Sequence, residues 1–399
     1  MMVIHSCIHE PRHIAVSVAV RNLSVPIAVQ GVVRRSLLAG LVLILACAPQ
    51  TAAPTTPATT APVLGSGIIR IASMGAAKAT HTATRLLDGR VLIAGGYDGS
   101  CHIRETELYT PATRTFAAAA PLGVARCDHT ATLLADGRVL IAGGIALRET
   151  LRTAELYDPS RDAFIATGDM TLPRDGPTAT LLRDGTVLVT GGIDEGRPVA
   201  SAERYDPAKR TFTRVGDMRV ARMAHTATLL ADGRVLVVGG SSSRGQIESS
   251  AEIFDPSTGE FAPTKTMTVP RYKHAAVALA DSRVLIVGGS DARDFAGRYA
   301  TAEIFDPRDG EFHVTAPMSS RRYKVTSAVA ALATGEVLVA GGADIAEVFD
   351  GRAFVPVSGT LDANWSFAAA TPLLDGSVLI TGGYDDRIRP TAGAWLFRR

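Results

Sequence analysis

The chain has 399 residues, of which 46% are apolar and 20% charged, and it carries a formal net charge of +2. This balance, without any long run of Lys or Arg, argues against nucleic acid as a main partner. The four cysteines are too few for a disulfide scaffold, and none lies in a CxxC pair. Zinc and thiol-redox chemistry are therefore set aside, and we expect neither a metal site nor a cofactor.

Residues 1–46 predict an export signal. Two arginines precede the apolar run SLLAGLVLILA, which is too short to span a bilayer but suits the core of a signal peptide. Cys47 follows, and ILAC resembles the lipobox of bacterial lipoproteins, in which this cysteine is lipidated; plain secretion is the alternative. Because residues 1–32 have no place in such a signal, we expect the true start near Val33.

Residues 47–67 predict a tether. They contain APQTAAPTTPATTAP, an uncharged segment rich in Thr, Ala and Pro that cannot bury a core. A lipid, a tether and a globular body together predict a protein displayed outside the cytoplasm, on the cell envelope. The lipid would be its only contact with a membrane.

A Gly-Gly doublet recurs through residues 68–399, at intervals of roughly 50 residues that indicate a repeat array. The doublets are Gly95-Gly96, Gly143-Gly144, Gly191-Gly192, Gly239-Gly240, Gly288-Gly289, Gly341-Gly342 and Gly382-Gly383.

Each repeat unit predicts four short strands. In the fourth unit, HTATLL from His225 alternates as a half-buried strand does, and Asp232-Gly233 favours a type I′ hairpin. RVLVVGG then predicts a strand covered on both faces. AEIF from Ala251 predicts the third strand, and an Asp-Pro turn leads to an outer strand that carries Phe261.

An aromatic residue recurs on the third strand and another on the fourth. With Gly-Gly after an apolar strand, this pattern resembles the Kelch repeat. The resemblance implies an all-β, seven-bladed Kelch-type β-propeller over residues 68–399, and we expect a monomer. The last unit stops at its third strand, whereas IIRIASM from Ile68 has the pattern of an unpaired outer strand. We therefore predict that the N-terminal strand completes the last blade.

Two polar sets are predicted on one rim, where the loops after Gly-Gly and the connections between blades lie. A basic residue four positions after the outer strand could attract an anion. It recurs as Lys78, Arg126, Arg174, Arg222, Arg271 and Arg322, and Lys324 is the other choice in the sixth unit. An aspartate two residues after Gly-Gly suits sugar hydroxyls. It recurs as Asp98, Asp194, Asp291, Asp344 and Asp385.

Both sets have a structural alternative. A third-strand glutamate accompanies each basic residue, and the seventh unit replaces both together, by Trp365 and Trp395. This joint replacement predicts buried Arg–Glu pairs that fasten adjacent blades. Loop aspartates also cap their own turns. Four histidines at a fixed strand position predict packing and hydrogen bonding; they are His81, His129, His225 and His274.

Cys101 and Cys127 fall on the same predicted rim. A disulfide between them requires Cα atoms within roughly 7 Å. The sequence leaves both the bonded and the free form open.

The repeats favour a binding protein that recognises a protein or a glycan through this rim. No Ser/His/Asp or paired-carboxylate arrangement stands out of the repeat, so we predict no catalytic residue. The irregular features are the long loop from Ser290 to Ala300, the short sixth unit, and the blade with Trp365 and Trp395. The alternative is a carbohydrate-active enzyme, because Kelch propellers also form the body of galactose oxidase and of sialic acid mutarotases. Here the similarity stops at the fold.

Overall fold

Seven four-stranded antiparallel sheets, here called blades, form most of the chain that the computed structural model describes, residues 66–243 and 245–399. The predicted signal region, Cys47 and all but the end of the predicted tether lie outside the described residues. Within the described ranges the structure has no α-helix, and no helix that is long and apolar enough to cross a membrane.

Strand β1 (Gly67–Arg70) belongs to the last blade. The other strands follow in chain order. Blade 1 contains β2 (Thr82–Arg85), β3 (Val91–Ala94), β4 (Thr106–Thr110) and β5 (Thr115–Ala119). Blade 2 contains β6 (Thr130–Leu133), β7 (Val139–Ala142), β10 (Ala154–Asp158) and β11 (Ala163–Ala166), with a two-stranded ribbon of β8 (Ile145–Ala146) and β9 (Glu149–Thr150). Blade 3 contains β12 (Thr178–Leu181), β13 (Val187–Thr190), β16 (Ala202–Asp206) and β17 (Thr211–Arg214), with a ribbon of β14 (Ile193–Asp194) and β15 (Arg197–Pro198).

Blades 4 to 7 continue the pattern. Blade 4 contains β18 (Thr226–Leu229), β19 (Val235–Val238), β20 (Ala251–Asp255) and β21 (Glu260–Pro263). Blade 5 contains β22 (Ala275–Ala278), β23 (Val284–Val287), β24 (Ala302–Asp306) and β25 (Glu311–Thr315), with one 3-10 turn at Asp294–Gly297. Blade 6 contains β26 (Val329–Ala331), β27 (Val337–Val339), β28 (Glu347–Phe349) and β29 (Phe354–Pro356). Blade 7 contains β30 (Ala369–Pro372), β31 (Val378–Thr381), β32 (Ala394–Arg398) and β1.

The first strands of successive blades contact one another in a closed ring, from β2 through β30 and back to β2. These strands therefore surround the centre, and each fourth strand lies at the periphery. The predicted seven-bladed β-propeller is confirmed.

Strand β1 closes the ring by pairing with β32. The register places Gly67 opposite Arg398 and Ile68 opposite Phe397. This confirms that the N-terminal strand completes the last blade. The strand is shorter than IIRIASM, since it ends at Arg70. Met74 lies beyond it but is buried, and its N–H donates to the carbonyl of Ala392 at 2.9 Å.

The apolar core lies between the blades. In β19, Val235 and Val237 pack against blade 3, whereas Leu236 and Val238 pack against blade 5. Both faces of this strand are covered, which explains why RVLVV is apolar at almost every position instead of alternating. Because each blade supplies half of two such layers, the core is distributed around the whole ring.

The Asp-Gly hairpins differ from the predicted type I′ turn. In blade 4 the N–H of Gly233 donates to the carbonyl of Leu230 at 3.0 Å, and the Leu230 N–H donates to Arg234 at 2.8 Å. Gly233 has a φ of 93°, whereas Asp232 does not have a positive φ. This is a type I turn followed by a glycine bulge, which requires positive φ only at the glycine. The Asp232 carboxylate accepts the Arg234 N–H at 3.0 Å and so caps the turn.

Aromatic pairs join the third and fourth strands of the first six blades. Their ring centroids are 4.8–5.0 Å apart, within the range of favourable aromatic contacts. The pairs are Tyr109–Phe116, Tyr157–Phe164, Tyr205–Phe212, Phe254–Phe261, Phe305–Phe312 and Phe349–Phe354. The recurring aromatic residues of the sequence are thus packing positions at the periphery.

Candidate ligand-binding site

The propeller has two different rims. The hairpin rim carries the Asp-Gly and Asp-Pro turns. The connection rim carries the loops after Gly-Gly and the connections between blades. On the connection rim, isolated β-bridges such as Met223 to Ser241 and Ser366 to Tyr384 tie six of the seven connections to the residue that follows Gly-Gly. The two kinds of loop therefore form one surface, as the sequence predicts.

Every basic residue of the predicted rim set is fully buried. Each one pairs with the third-strand glutamate of the blade that its connection enters, at N···O distances of 2.8–3.0 Å. The pairs are Lys78–Glu107, Arg126–Glu155, Arg174–Glu203, Arg222–Glu252, Arg271–Glu303 and Arg322–Glu347. The prediction that this set binds a ligand is therefore wrong, because the surrounding blade covers all six side chains. The arrangement is that of the structural alternative.

Arg222 illustrates how these residues fasten two blades. Its guanidinium donates to the carbonyls of Gly239 at 2.8 Å and Ser250 at 3.0 Å, and to the Glu252 carboxylate at 3.0 Å, all in blade 4. Its own carbonyl accepts the N–H of Gly192 in blade 3 at 2.9 Å. The side chain is therefore bonded to one blade and the main chain to the preceding one.

Blade 7 replaces the ion pair by an aromatic contact. Trp365 and Trp395 have ring centroids 6.0 Å apart. The Trp365 carbonyl accepts the N–H of Gly342 at 2.8 Å, as the arginine carbonyls do elsewhere, and its indole N–H donates to Leu361. Trp395 is 1% exposed, and Trp365 packs half-buried on the same core. The predicted contact between these two positions is present, and Trp395 is closed to any ligand.

The recurring histidines are also buried fasteners. The Nε2 atom of His225 lies 3.0 Å from the Thr190 hydroxyl of the preceding blade, and His129 bonds Thr82 in the same way at 2.9 Å. Burial lowers the pKa of His81, His129 and His225 to about 3, with a further contribution from a neighbouring buried cation. All three are therefore neutral at physiological pH.

We expect this burial to make stability depend on pH. An unfolded histidine has a pKa near 6.5, so between about pH 6.5 and 3 the unfolded chain binds protons that the folded chain does not. The stability that the neutral, buried histidines give the folded chain is complete above pH 6.5 and is lost as the pH falls towards 3. His225→Gln should be less stable than the parent at pH 7, and the difference in urea midpoint should shrink at pH 5 and again at pH 4. A difference that stays constant across this range would contradict the assignment.

The predicted aspartate set serves mostly its own loops. The carboxylates of Asp98, Asp291 and Asp385 each accept a backbone N–H two residues on, at 2.9 Å. Asp194 lies in the β14–β15 ribbon. Asp344 and Asp385 line an open depression of about 440 Å³ between blades 6 and 7. Among residues 66–243 and 245–399, no group of three or more His, Cys, Asp or Glu side chains is arranged to hold a metal ion.

Cys101 and Cys127 form a disulfide with Cα atoms 5.3 Å apart. The bond joins the loop after Gly95-Gly96 to the connection between blades 1 and 2. It therefore covalently ties two neighbouring segments of the connection rim.

A belt of seven equivalent residues surrounds the opening of the centre at the connection rim, here called the mouth. Each belt residue has a φ between 49° and 58° and comes just before the innermost strand of its blade. Several belt N–H groups donate to the carbonyl of the preceding member, for example Lys324 to Lys273 at 2.9 Å and Phe367 to Lys324 at 2.8 Å. The belt consists of Thr80, Asp128, Gly176, Ala224, Lys273, Lys324 and Phe367.

Aromatic and cationic side chains concentrate on the belt at blades 5 to 7. The Nζ atom of Lys324 lies 4.7 Å from the ring centroid of Tyr323, 5.2 Å from that of Tyr384 and 5.7 Å from that of Phe367. We call the whole group the mouth cluster. Its members are Tyr272, Lys273, Asp294, Phe295, Tyr323, Lys324, Phe367 and Tyr384.

The long loop of blade 5 is fixed to this cluster by Asp294. Its carboxylate accepts the Tyr272 hydroxyl and the Lys273 ammonium group, both at 3.0 Å. Burial acts to raise the pKa of Asp294, but the charges of Lys273 and Lys324 outweigh it and the pKa is lowered. The next residue, Phe295, is 45% exposed and meets Tyr323 edge-on, with ring centroids 6.0 Å apart. An aromatic face and cations are thus presented together at the mouth.

Comparison with known proteins agrees with this architecture. A family model described as the Kelch motif matches residues 177–219, 222–268 and 271–319, which span blades 3 to 5. The chain is a Kelch-repeat β-propeller. A solved structure described as "Structure of YjhT" matches 81% of this chain and 95% of its own, with a TM-score of 0.56 and 12% identity, a likeness that concerns the fold alone. No curated protein matches the sequence.

Apart from Lys324, the other choice for the sixth basic position, the mouth cluster of this Kelch propeller lies outside both predicted polar sets. Its signal in the sequence is the triplet Arg-Tyr-Lys, which occurs at Arg271–Lys273 and again at Arg322–Lys324, whereas the other units carry different residues after the basic position. Comparing the units one and two residues after that position would have found it. The irregular loop from Ser290 to Ala300, noted in the sequence, contributes Asp294 and Phe295.

Proposed function

We propose that this Kelch propeller is an exported, envelope-tethered binding protein that recognises a protein or a glycan through the mouth cluster. A Kelch-repeat propeller is a typical protein-interaction fold. The observation that carries the proposal is convergence: the three features that break the repeat meet at one part of the mouth. The long loop contributes Phe295, the short sixth unit is entered through Lys324, and blade 7 contributes Tyr384.

The chemistry of the cluster suits binding. Tyr and Phe are enriched at the energetic centres of protein interfaces, because they supply rigid contact area with little entropy cost. An exposed ring such as Phe295 can also receive the apolar face of a sugar. The Arg298 guanidinium stacks over one face of this ring, 3.8 Å from its centroid, and adds positive charge there. The cluster therefore favours ligands with an anionic or aromatic group.

Export rests on the sequence of residues 1–46 and is supported by the Cys101–Cys127 bond. Disulfides form and persist in oxidising compartments and are rare where thiols are kept reduced. Tethering through a lipid on Cys47 rests on the lipobox-like sequence.

We expect the double variant Phe295→Ala/Lys324→Gln to lose at least tenfold in ligand affinity while it keeps the parent's unfolding midpoint. The full chain would be applied to a glycan array with acidic and neutral members, and to envelope proteins by cross-linking. Every ligand found would then be titrated against the parent and the variant. The matched control is Val314→Ala/Lys265→Gln, which changes an exposed apolar residue on the outer strand of blade 5 and an exposed cationic residue just after the outer strand of blade 4. If every ligand binds Phe295→Ala/Lys324→Gln as tightly as it binds the control variant, the mouth cluster is not the binding site.

A further inference from the structure

Three loops of the connection rim expose a large apolar side chain. Leu147 is 65% exposed in the ribbon of blade 2, Phe295 is 45% exposed in the long loop of blade 5, and Ile388 is 47% exposed in the loop of blade 7. We call these three residues the apolar tips. The other large apolar residues exposed in the described ranges, such as Leu87 and Leu374, lie on the hairpin rim or on outer strands.

The backbone at Ile388 is strained. The Ile388 N–H donates to the Asp385 carbonyl at 2.8 Å, and the Asp385 N–H donates to Arg389 at 3.1 Å. These are the hydrogen bonds of the type I turn with a bulge, and the loop of blade 4 makes them with Gly245 at the bulge. Ile388 takes that position with a φ of 60°. A β-branched residue at positive φ costs free energy that glycine avoids.

The blade 2 ribbon is strained in a similar way. It turns at Leu147 and Arg148, which have φ values of 50° and 74°. The ribbon of blade 3 has glycine, Gly196, at the second of these positions. Burial does not offset the strain, because both Leu147 and Ile388 are exposed. Strain of this kind concentrates in loops that hold ligands, so a ligand for these tips is expected.

An arginine lies beside each apolar tip, next to it in the chain or, for Phe295, stacked on the ring. The arginines are Arg148, Arg298 and Arg387. None of the three forms an ion pair with a described residue, whereas the neighbouring Arg389 is paired with Asp385. An apolar side chain beside an unpaired guanidinium group suits an apolar pocket that has an acidic residue at its edge.

The apolar tips are spread around the mouth. In the closed ring of blades, the steps from blade 2 to 5, from 5 to 7 and from 7 back to 2 are three, two and two blades. Whatever contacts all three tips must extend across the mouth, which a single sugar does not do. An anionic lipid surface fits poorly, because four aspartates line the depression between blades 6 and 7 on this rim. A protein can place its acidic residues beside the arginines alone.

We propose that the three apolar tips form a docking surface for one protein partner that covers the mouth and offers an apolar pocket with an acidic side chain to each tip. This inference rests on the proposed function where it narrows the ligand of the mouth cluster to a protein. The tips of blades 2 and 7 lie outside that cluster and are tested separately.

The first test concerns strain and needs no partner. The variant Leu147→Asn/Ile388→Gly removes two apolar tips and introduces residues that tolerate a positive φ. We expect its urea midpoint to equal or exceed that of the parent. A lower midpoint would show that the fold itself uses these side chains, and it would overturn the docking surface. Leu87→Asn/Leu374→Asn, which removes two exposed leucines of the hairpin rim, is the matched control.

The second test identifies the partner by cross-linking. A photoreactive benzophenone amino acid would replace Leu147, Phe295 or Ile388, one at a time, in the full chain exposed to the envelope proteins of the producing cells. Leu87 and Leu374 would be replaced in the same way as controls. We expect one protein, identified by mass spectrometry, to be cross-linked from all three tips and from neither control position. Once purified, it should bind Leu147→Asn/Ile388→Gly at least tenfold more weakly than the parent or the control variant.

The other outcomes separate the docking surface from the mouth cluster. No product common to the three tips would overturn the docking surface. So would vesicles of phosphatidylcholine and phosphatidylglycerol that bind the parent but not Leu147→Asn/Ile388→Gly, because the tips would then contact lipid. A glycan that is lost by Lys324→Gln but binds Leu147→Asn/Ile388→Gly as the parent does also overturns the docking surface, while the mouth cluster keeps its function. A protein that needs the tips but is indifferent to Lys324→Gln supports the docking surface and contradicts the role of the cluster.

Discussion

Replacing Arg222 by alanine should lower the free energy of unfolding by about 3–5 kcal/mol, because the substitution leaves the Glu252 carboxylate buried without its partner. The Arg222 side chain is fully buried and donates to two carbonyls as well as to the carboxylate. All of these acceptors would lose their donor at once. The midpoint of guanidinium-induced unfolding, followed by circular dichroism, measures the effect.

Two variants of the same region serve as controls. Arg234→Ala removes a pair with Asp232 that is exposed on the hairpin rim, so its effect should stay below about 1 kcal/mol. Arg222→Lys should fall between the two, because Lys78 already pairs with Glu107 at the equivalent position of blade 1. An Arg222→Ala midpoint no lower than that of Arg234→Ala would contradict the fastener role.

Trp395→Ala should also destabilise the propeller by about 3–5 kcal/mol, since it removes the largest fully buried side chain and leaves a cavity between blades 6 and 7. Blade 7 has no ion pair at this position, and the aromatic contact with Trp365 takes its place. Thermal and chemical unfolding of the full chain would report the loss.

A second variant, Trp395→Phe, keeps an aromatic ring at this position but removes the indole N–H. The indole Nε1 atom of Trp395 is buried and has no hydrogen-bond partner among the described residues, so phenylalanine removes an unsatisfied donor along with some volume. We expect a loss of about 1 kcal/mol, well below that of alanine. Trp365→Ala should also cost less than Trp395→Ala because Trp365 is only half-buried. Equal stability of Trp395→Ala and the parent would show that this contact does not hold the blade.

The architecture could be read from the sequence because its causes are local and repeated. RVLVV is apolar at alternate positions on both faces of the strand, since both faces of β19 are covered, and the same pattern recurs in each unit. The Arg–Glu pairing could be inferred because Trp365 and Trp395 replace both partners in one unit. The unpaired outer strand at Ile68 identified the closure of the ring.

The belt conformation and the mouth cluster could not be predicted from the sequence in the same way. Six of the seven belt positions are not glycine, so nothing in the sequence announces their positive φ. The mouth cluster gathers Lys273, Lys324 and Tyr384 from three blades, and this proximity exists only once the ring has closed. The turn type at Asp232 was also predicted wrongly, because an Asp-Gly dipeptide suits both a type I′ turn and a type I turn with a bulge.

The position of Ser66 distinguishes the two rims, because the described chain begins at one of them. Ser66 lines a depression of about 360 Å³ together with the hairpins of blades 6 and 7, at Leu332–Thr334 and Asp375–Ser377. Strand β1 then runs from the hairpin rim towards the connection rim. The described chain therefore enters the propeller at the hairpin rim. The mouth cluster lies on the opposite rim, away from the point at which the described chain begins.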